Sequence, residues 1–199
     1  LYQNQRANQN RGERYIDFDQ MEHDPPIASA LDIVASSMCT STPFSPIVAV
    51  MSPNEEIKGV VEHLLYEILN IDYNMHPWCR STVKYGDSFL FLDIDEKLGI
   101  RHFVGIPPQE VERLEGQDPT NPGYVQFQWN AGGLTFENWQ LAHFRILGND
   151  KFWPYGSSYL DPARRPWRRV QLQVDAMMSY RIVRSPERRV FYIDVGGIP

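Results

Sequence analysis

The stretch "NMHPWCRSTVKYGDSFLFLDIDEKLGIRHFVGIP", Asn74 to Pro107, is where the chain changes period. Its first half reads as a helix, interrupted by Pro77 and stopped by Gly86, which takes the left-handed turn that side chains resist. From Ser88 the period-3.6 pattern is gone. "SFLFLDID" and "IRHFVGIP" are short β-type runs joined by the turn cluster Glu96–Gly99, and "YVQFQW" and "HFRIL" repeat the pattern further on. Upstream lie more helices. "DPPIASALDIVASSM" can be capped by Asp24 and opened by Pro25 or Pro26, with Ile27, Leu31 and Val34 on one face. Ser52 or Asn54, followed by Glu55 and Glu56, starts another that runs to about Asn70, with Ile57, Val60, Val61, Leu64, Leu65 and Ile68 inward. A short apolar strand, Ile47–Val50, is expected between the two. Helices followed by strands, without regular alternation, predict an α+β domain and not a doubly wound sheet.

The rest of the chain flanks that domain. Residues 1–14 are polar and rich in Gln and Asn, and read as extended or disordered until they meet a partner. From Ser157 to about Arg184 runs the longest periodic element. Leu160, Ala163, Trp167, Val170, Val174 and Met177 follow 3-4-3-4-3 spacing, a heptad-type seam. At about 1.5 Å per residue that helix would be roughly 42 Å long. Pro166 should kink or restart it. Beyond Ser185-Pro186 a strand, Val190–Val195, leads into a Gly-Gly-Ile-Pro turn.

Composition narrows the function. The 199 residues carry a net charge of −6, with no run of 18 apolar residues to span a bilayer. The N-terminus has no apolar core and is not a signal peptide; lacking an initiator Met, it reads as processed or trimmed. Cys39 and Cys79 cannot form a disulfide scaffold, and a reduced, cytoplasmic history is the default. The charge is unevenly spread. Between Arg164 and Arg189 eight arginines face only Asp175 and Glu187, which leaves the remaining residues strongly acidic. Asp161 precedes Arg165 by four, a favourable pair, while Arg164/Arg168 and Arg165/Arg169 stack like charges. Such a stack is tolerated when acidic groups from elsewhere meet it.

Motif chemistry is sparse. There is no phosphate-binding G-x-x-x-x-G-K-[ST] loop and no H-E-x-x-H, and His23, His63, His76, His102 and His143 are scattered, so neither a metal site nor a cofactor is expected. Cys79 near His76 suggests a nucleophile and base, but a buried structural thiol is the simpler reading. The sharpest catalytic alternative is "LDIDEKL". Asp93 and Asp95 on a strand, with Lys97 following, resemble the D-x-K end of a magnesium-dependent nuclease site. Against it stands a solvated hairpin turn at Asp95–Gly99. "QMEHDPPI" and "IPPQEVERLEGQDPTNPGY" read as solvated loops. Tyr124, Phe127 and Trp129 read as one face of a strand, with Gln126 and Gln128 opposite. The alternative is a base-stacking platform, but no basic residue interleaves with them, which favours a core face.

From Asp17 onward the chain resembles the portal (head–tail connector) proteins of myovirus-type tailed bacteriophages. "ALDIVASSM", "KYGDSFLFLDID", "PPQEVERLEG", "FQWNAGGLTFENWQLAHFRILGNDKFWPYGSSYLDPARRPWRRVQL" and "DAMMSYRIVRSPERRVFYIDVGGIP" carry the resemblance, in that order. It implies a wing domain over residues 1–156, a stem helix over 157–185 and the start of a clip domain over 186–199, hence the N-terminal part of a longer protein. It implies a structural subunit and no enzyme: a ring of twelve at one capsid vertex of the virion, assembled in the host cytoplasm. Double-stranded DNA would pass through it without sequence specificity. The large terminase, the major capsid protein and tail or neck proteins would be its partners. On that reading Arg164, Arg165, Arg168, Arg169 and Asp175 lie at the subunit interface, with contact to DNA as the alternative. Phe191, Tyr192 and Asp194 would face terminase or pair clip to clip. Pro166 departs from the family pattern, which has a large apolar residue there. It leaves open whether the stem begins unbroken or restarts with Arg165 as its cap.

Overall fold

A computed structural model describes residues 2–42, 45–97, 99–116, 120–121, 123–148, 152–185, 190–194 and 196–197, with side chains from residue 11 onward. The chain divides into two compact units, Leu1–Arg164 and Arg165–Pro199.

The first unit is α+β, as the period change predicts. Its helices are α1 (Tyr2–Glu22), α2 (Pro25–Met38), α3 (Glu55–His63), continued by a π-helical turn Leu64–Ile68, and α4 (Ile71–Tyr85). Asn54 caps α3 by accepting from the Glu56 and Ile57 amides. Asp24 sits at the N-cap of α2 in an extended conformation but makes no side-chain cap bond there. Pro77 lies inside α4, which nonetheless continues to Gly86, the left-handed stop (φ 87°).

Six antiparallel strands follow: β1 (Asp87–Asp95), β2 (Gly99–Ile106), β3 (Val111–Glu115), β4 (Val125–Trp129), β5 (Leu134–Glu137) and β6 (Leu141–Arg145). They form two three-stranded sheets, ordered β2-β1-β6 and β3-β4-β5. Aromatic rings join the two. Phe89 meets Phe127 edge-on at 6.0 Å and Phe91 lies 4.8 Å from Phe136. Ile106, Val111, Leu141 and Tyr155 complete that core. Leu90 is buried on the opposite face of β1, where Trp78 of α4 stacks edge-on against Phe103 at 5.1 Å. Both faces of the first half of β1 are thus covered, which explains why "SFLFL" is a continuous apolar run and not an alternation.

Two glycines close the unit. A Cβ on Gly156 would stand 2.0 Å from the Gly86 carbonyl oxygen, and one on Gly86 would stand 2.7 Å from the Ser157 carbonyl carbon. No side chain fits at either place. The close approach lets the Ile146 amide donate to Gly86 and the Ser157 amide donate to Ile146.

Several expectations change. Residues 1–14 are not extended: from Tyr2 they belong to α1, and Arg11, Arg14, Tyr15, Asp17, Phe18 and Met21 are buried. Gln, Arg and Glu are good helix formers, and what hides the inward stripe is that half of it is charged. Ile47–Val50 forms no strand. "PPQEVERLEG" is not a solvated loop: it contains β3, whose Val111 is fully buried. Tyr124 precedes β4 and does not share the face of Phe127 and Trp129; with Gln126 it bonds Glu137. Phe127 and Trp129 do lie on the core face.

The second unit carries α5, Arg164–Arg184, whose first residue belongs to the first unit. The helix therefore begins later than Ser157. Ser158 Oγ donates to the Lys84 carbonyl and accepts the Leu160 amide, and a 3-10 turn, Asp161–Ala163, follows. Pro166 falls in the first turn of α5, where amides have no intrahelical acceptor, so it deletes no bond. Residues 190–194 carry no regular structure; Val195 and residues 186–189 of the expected clip start lie outside the described residues.

Candidate subunit interface and the acidic hairpin

On α5 the side chains of Arg165, Arg168, Arg169 and Asp175 are exposed. So are its apolar residues: Val170 is 51% exposed, Val174 47% and Met177 55%, and Leu172, Met178, Ile182 and Val183 are also open. Leu160 and Ala163, the first two positions of the seam, belong to the first unit, where Leu160 is buried. Arg184 lies over the Tyr180 ring at 4.6 Å. The helix thus presents a mixed surface, with arginines at both ends and aliphatic side chains between. Arg164 differs from its neighbours. It donates through Nε (2.8 Å) and Nη2 to Asp17 Oδ2 of α1, with Asp161 3.6 Å from Nη1. Phe191 and Tyr192 are 82% and 94% exposed, and Asp194 accepts the Gly196 amide; Ile198 and Pro199 of the expected Gly-Gly-Ile-Pro turn lie outside the described residues.

The acidic strand behaves as a hairpin. Asp95 closes the β1–β2 turn by accepting the Lys97 amide at 2.8 Å and pairs with Arg101 at 3.8 Å. Asp93 is exposed, opposite His102 in the ladder. Among the described residues no cluster of three His, Cys, Asp or Glu side chains could hold a metal ion. The Cys79–His76 pair does not form either: His76 contacts Ser36 Oγ at 3.3 Å, and Cys79 is buried. Burial, with a hydrogen bond to Cys39, pushes its thiol up to about 12, which suits a structural cysteine.

Ionic staples inside the first unit escaped the sequence reading. Asp87, fully buried, accepts from Tyr15 Oη (3.2 Å) and the Gly156 amide (2.8 Å), and its Oδ1 contacts His143 Nε2 at 2.8 Å. Lys84 bridges Asp19 and Glu22, and Arg80 bridges Glu22 and Asp32. Burial pushes the Lys84 ammonium down, but bonds with Asp19, Glu22 and Tyr85 outweigh it and hold the group above its ordinary value. The available signal was i, i+3/i+4 spacing of charges in α1, but it is the spacing of any solvated helix.

Residues 134–199, which hold β5, β6 and α5, match the family model "Bacteriophage T4-like portal protein (Gp20)". The chain is related to phage portal proteins. It is 50% identical over 80 residues to the portal protein of Vibrio phage KVP40, covering 40% of this chain and 15% of the relative. To the portal protein of Salmonella phage ViI it is 24% identical over 223 residues, 92% of this chain and 40% of the relative. The chain therefore spans well under half the length of either portal protein. Among the described residues no helix is long and apolar enough to cross a membrane.

Proposed function

We propose that this chain is a structural, non-enzymatic part of a phage portal, a ring of twelve subunits at one capsid vertex of the virion. Residues 1–156 belong to its wing, α5 is its stem helix, and the residues after 185 enter the clip. The carrying observation is α5 itself. It lies within the segment matched to the portal family, and it holds seven aliphatic or thioether side chains in water. Each such side chain left exposed forgoes about 1.5–3 kcal/mol. A second copy of the chain covers them. Arg165, Arg168 and Arg169 then meet acidic wing residues of the neighbouring subunit, and Asp175 meets a basic one. Phe191, Tyr192 and Asp194 pair clip to clip, because an open β-prone edge seeks a partner.

The acidic balance of the remaining chain suits a conduit for double-stranded DNA, since every tightly held phosphate would slow passage. Packaging and ejection run through such a ring, with the large terminase, the major capsid protein and tail or neck proteins docked around it. Assembly takes place in the host cytoplasm. The nuclease alternative at Asp93, Asp95 and Lys97 gains no support, because an Asp95 oxygen is already used in its own turn.

Negative-stain microscopy of the full-length gene product tests the proposal. End-on class averages near twelve-fold with a central hole are expected; compact particles without symmetry sink it. Arg168→Glu is expected to abolish rings. If rings form normally and only DNA packaging suffers, the arginines face DNA and not the neighbour. Magnesium-dependent DNA cleavage that is lost in Asp95→Asn would revive the nuclease.

A further inference from the structure

Consecutive turns of α1 grip the chain segment that precedes α5. Arg14 lays its guanidinium over the Phe152 ring, 3.8 Å from the centroid. Tyr15 reaches Asp87, whose other oxygen holds the Gly156 amide. Asp17 takes two bonds from Arg164, and the Arg164 guanidinium also lies 5.9 Å from the Phe18 ring centroid. Residues 156–159 have further anchors outside α1. The Ser157 amide bonds Ile146, the Tyr159 amide bonds Val83, and Ser158 Oγ bonds Lys84. The next turn, Leu160–Arg164, differs. Its backbone bonds are local: the Asp161 amide to Ser158, the Ala163 amide to Leu160 and the Arg164 amide to Asp161. A 3-10 turn of three residues is a poor structure to hold by itself. Burial of Leu160 and the Asp17–Arg164 pair are what fix it.

We infer that α1 is a clasp for the root of α5, so that docking of α1 and ordering of the Leu160–Arg164 turn are one cooperative event, separate from the unfolding of the β-sheets. The physical ground is asymmetry of cost. Asp17 is 6% exposed, so undocking α1 rehydrates its carboxylate but strips Arg164 of its main partner, and the turn's other long-range electrostatic tie, Asp161 with the Arg14 guanidinium, also runs to α1. A half-open state would leave one charge of a desolvated pair alone, which is the least favourable arrangement. The two elements are 147 positions apart in the chain, yet each depends on the other. The inference does not depend on the portal reading.

Amide exchange by NMR on the intact 199-residue chain, in graded sub-denaturing urea, reads this directly. Ala163 and Arg164 are expected to exchange along the same urea dependence as Phe18 and Met21, at lower stability than Phe89 in β1. Asp17→Asn should speed exchange at all four amides by the same factor, roughly tenfold or more, and leave Phe89 unchanged. Turn amides that follow their own urea dependence, or that open only together with Phe89, overturn the clasp. So does an Asp17→Asn variant that moves one pair of amides and not the other. If that variant does not fold, the urea series on the unaltered chain still decides.

Discussion

Two helices of 21 residues each, α1 and α5, invert the usual relation between polarity and burial. In α1, Arg11, Arg14 and Asp17 are buried beside Tyr15, Phe18 and Met21. In α5, every described aliphatic side chain from Val170 onward is exposed. Both are polar on average, and neither announces its fate by composition. What separates them is the partner available to each charge. Every buried charge of α1 meets an opposite charge, a carbonyl or an aromatic face: Arg11 bonds the carbonyls of Pro108 and Val111 and lies 4.1 Å from the Tyr155 ring centroid. Desolvation is tolerable only under such satisfaction.

The most severe way to break the comparison is at the hub beneath α1. Asp87→Asn removes the charge that faces His143 and can accept only part of what the carboxylate accepts. We expect a loss of about 3 kcal/mol or more in urea-induced unfolding, since it unpairs a fully buried group. A loss under about 1 kcal/mol would mean that the α1 side of the core is held by its aromatics alone.

A smaller effect is expected from acid. Burial pushes the Glu22 carboxyl up, but hydrogen bonds from Lys84 and Arg80 outweigh that and hold it below its ordinary value of 4.5. A carboxyl depressed in the folded state contributes stability above its unfolded pKa, and that stability is lost as pH falls through the folded value. The unaltered chain should therefore lose stability as pH drops from about 5 downward, and Glu22→Gln should flatten that limb while lowering the plateau at neutral pH. Parallel acid limbs for the two proteins would remove Glu22 from the staple.

The smallest effect belongs to α5. Val174→Ser should change the stability of the isolated chain by no more than about 0.5 kcal/mol, as for any exposed position. The same variant should weaken ring formation in microscopy. Stability loss without an assembly defect would place Val174 against its own chain and dissolve the contrast between the helices.

The β half was legible because β1, β2, β4 and β6 are apolar runs bounded by turns, and a buried aromatic face writes itself into sequence as Phe89, Phe91 and Phe127. What escaped was written in charge. In β3 only Val111 is fully buried, while Glu112 and Arg113 are half-buried and Arg113 bonds Glu115 at 2.6 Å, so the strand reads as a solvated loop. The root of α5 was blurred because Leu160 and Ala163 extend the helical spacing through residues that are not in the helix. The arginine stack itself was readable, but not the departure of Arg164 from it. Its partner lies in α1, the helix that the composition hid.

The capped margin of β3 bears on how the molecule stays in solution. This strand is at the rim of its sheet, with the Val111 carbonyl held by Arg11 and the Arg113 amide donating to Tyr155 Oη at 2.9 Å. A foreign strand seeking to extend the sheet there would have to evict a buried guanidinium and a phenol before making its first ladder bond. Crowded copies of the chain are thus steered away from amyloid-like stacking along this rim.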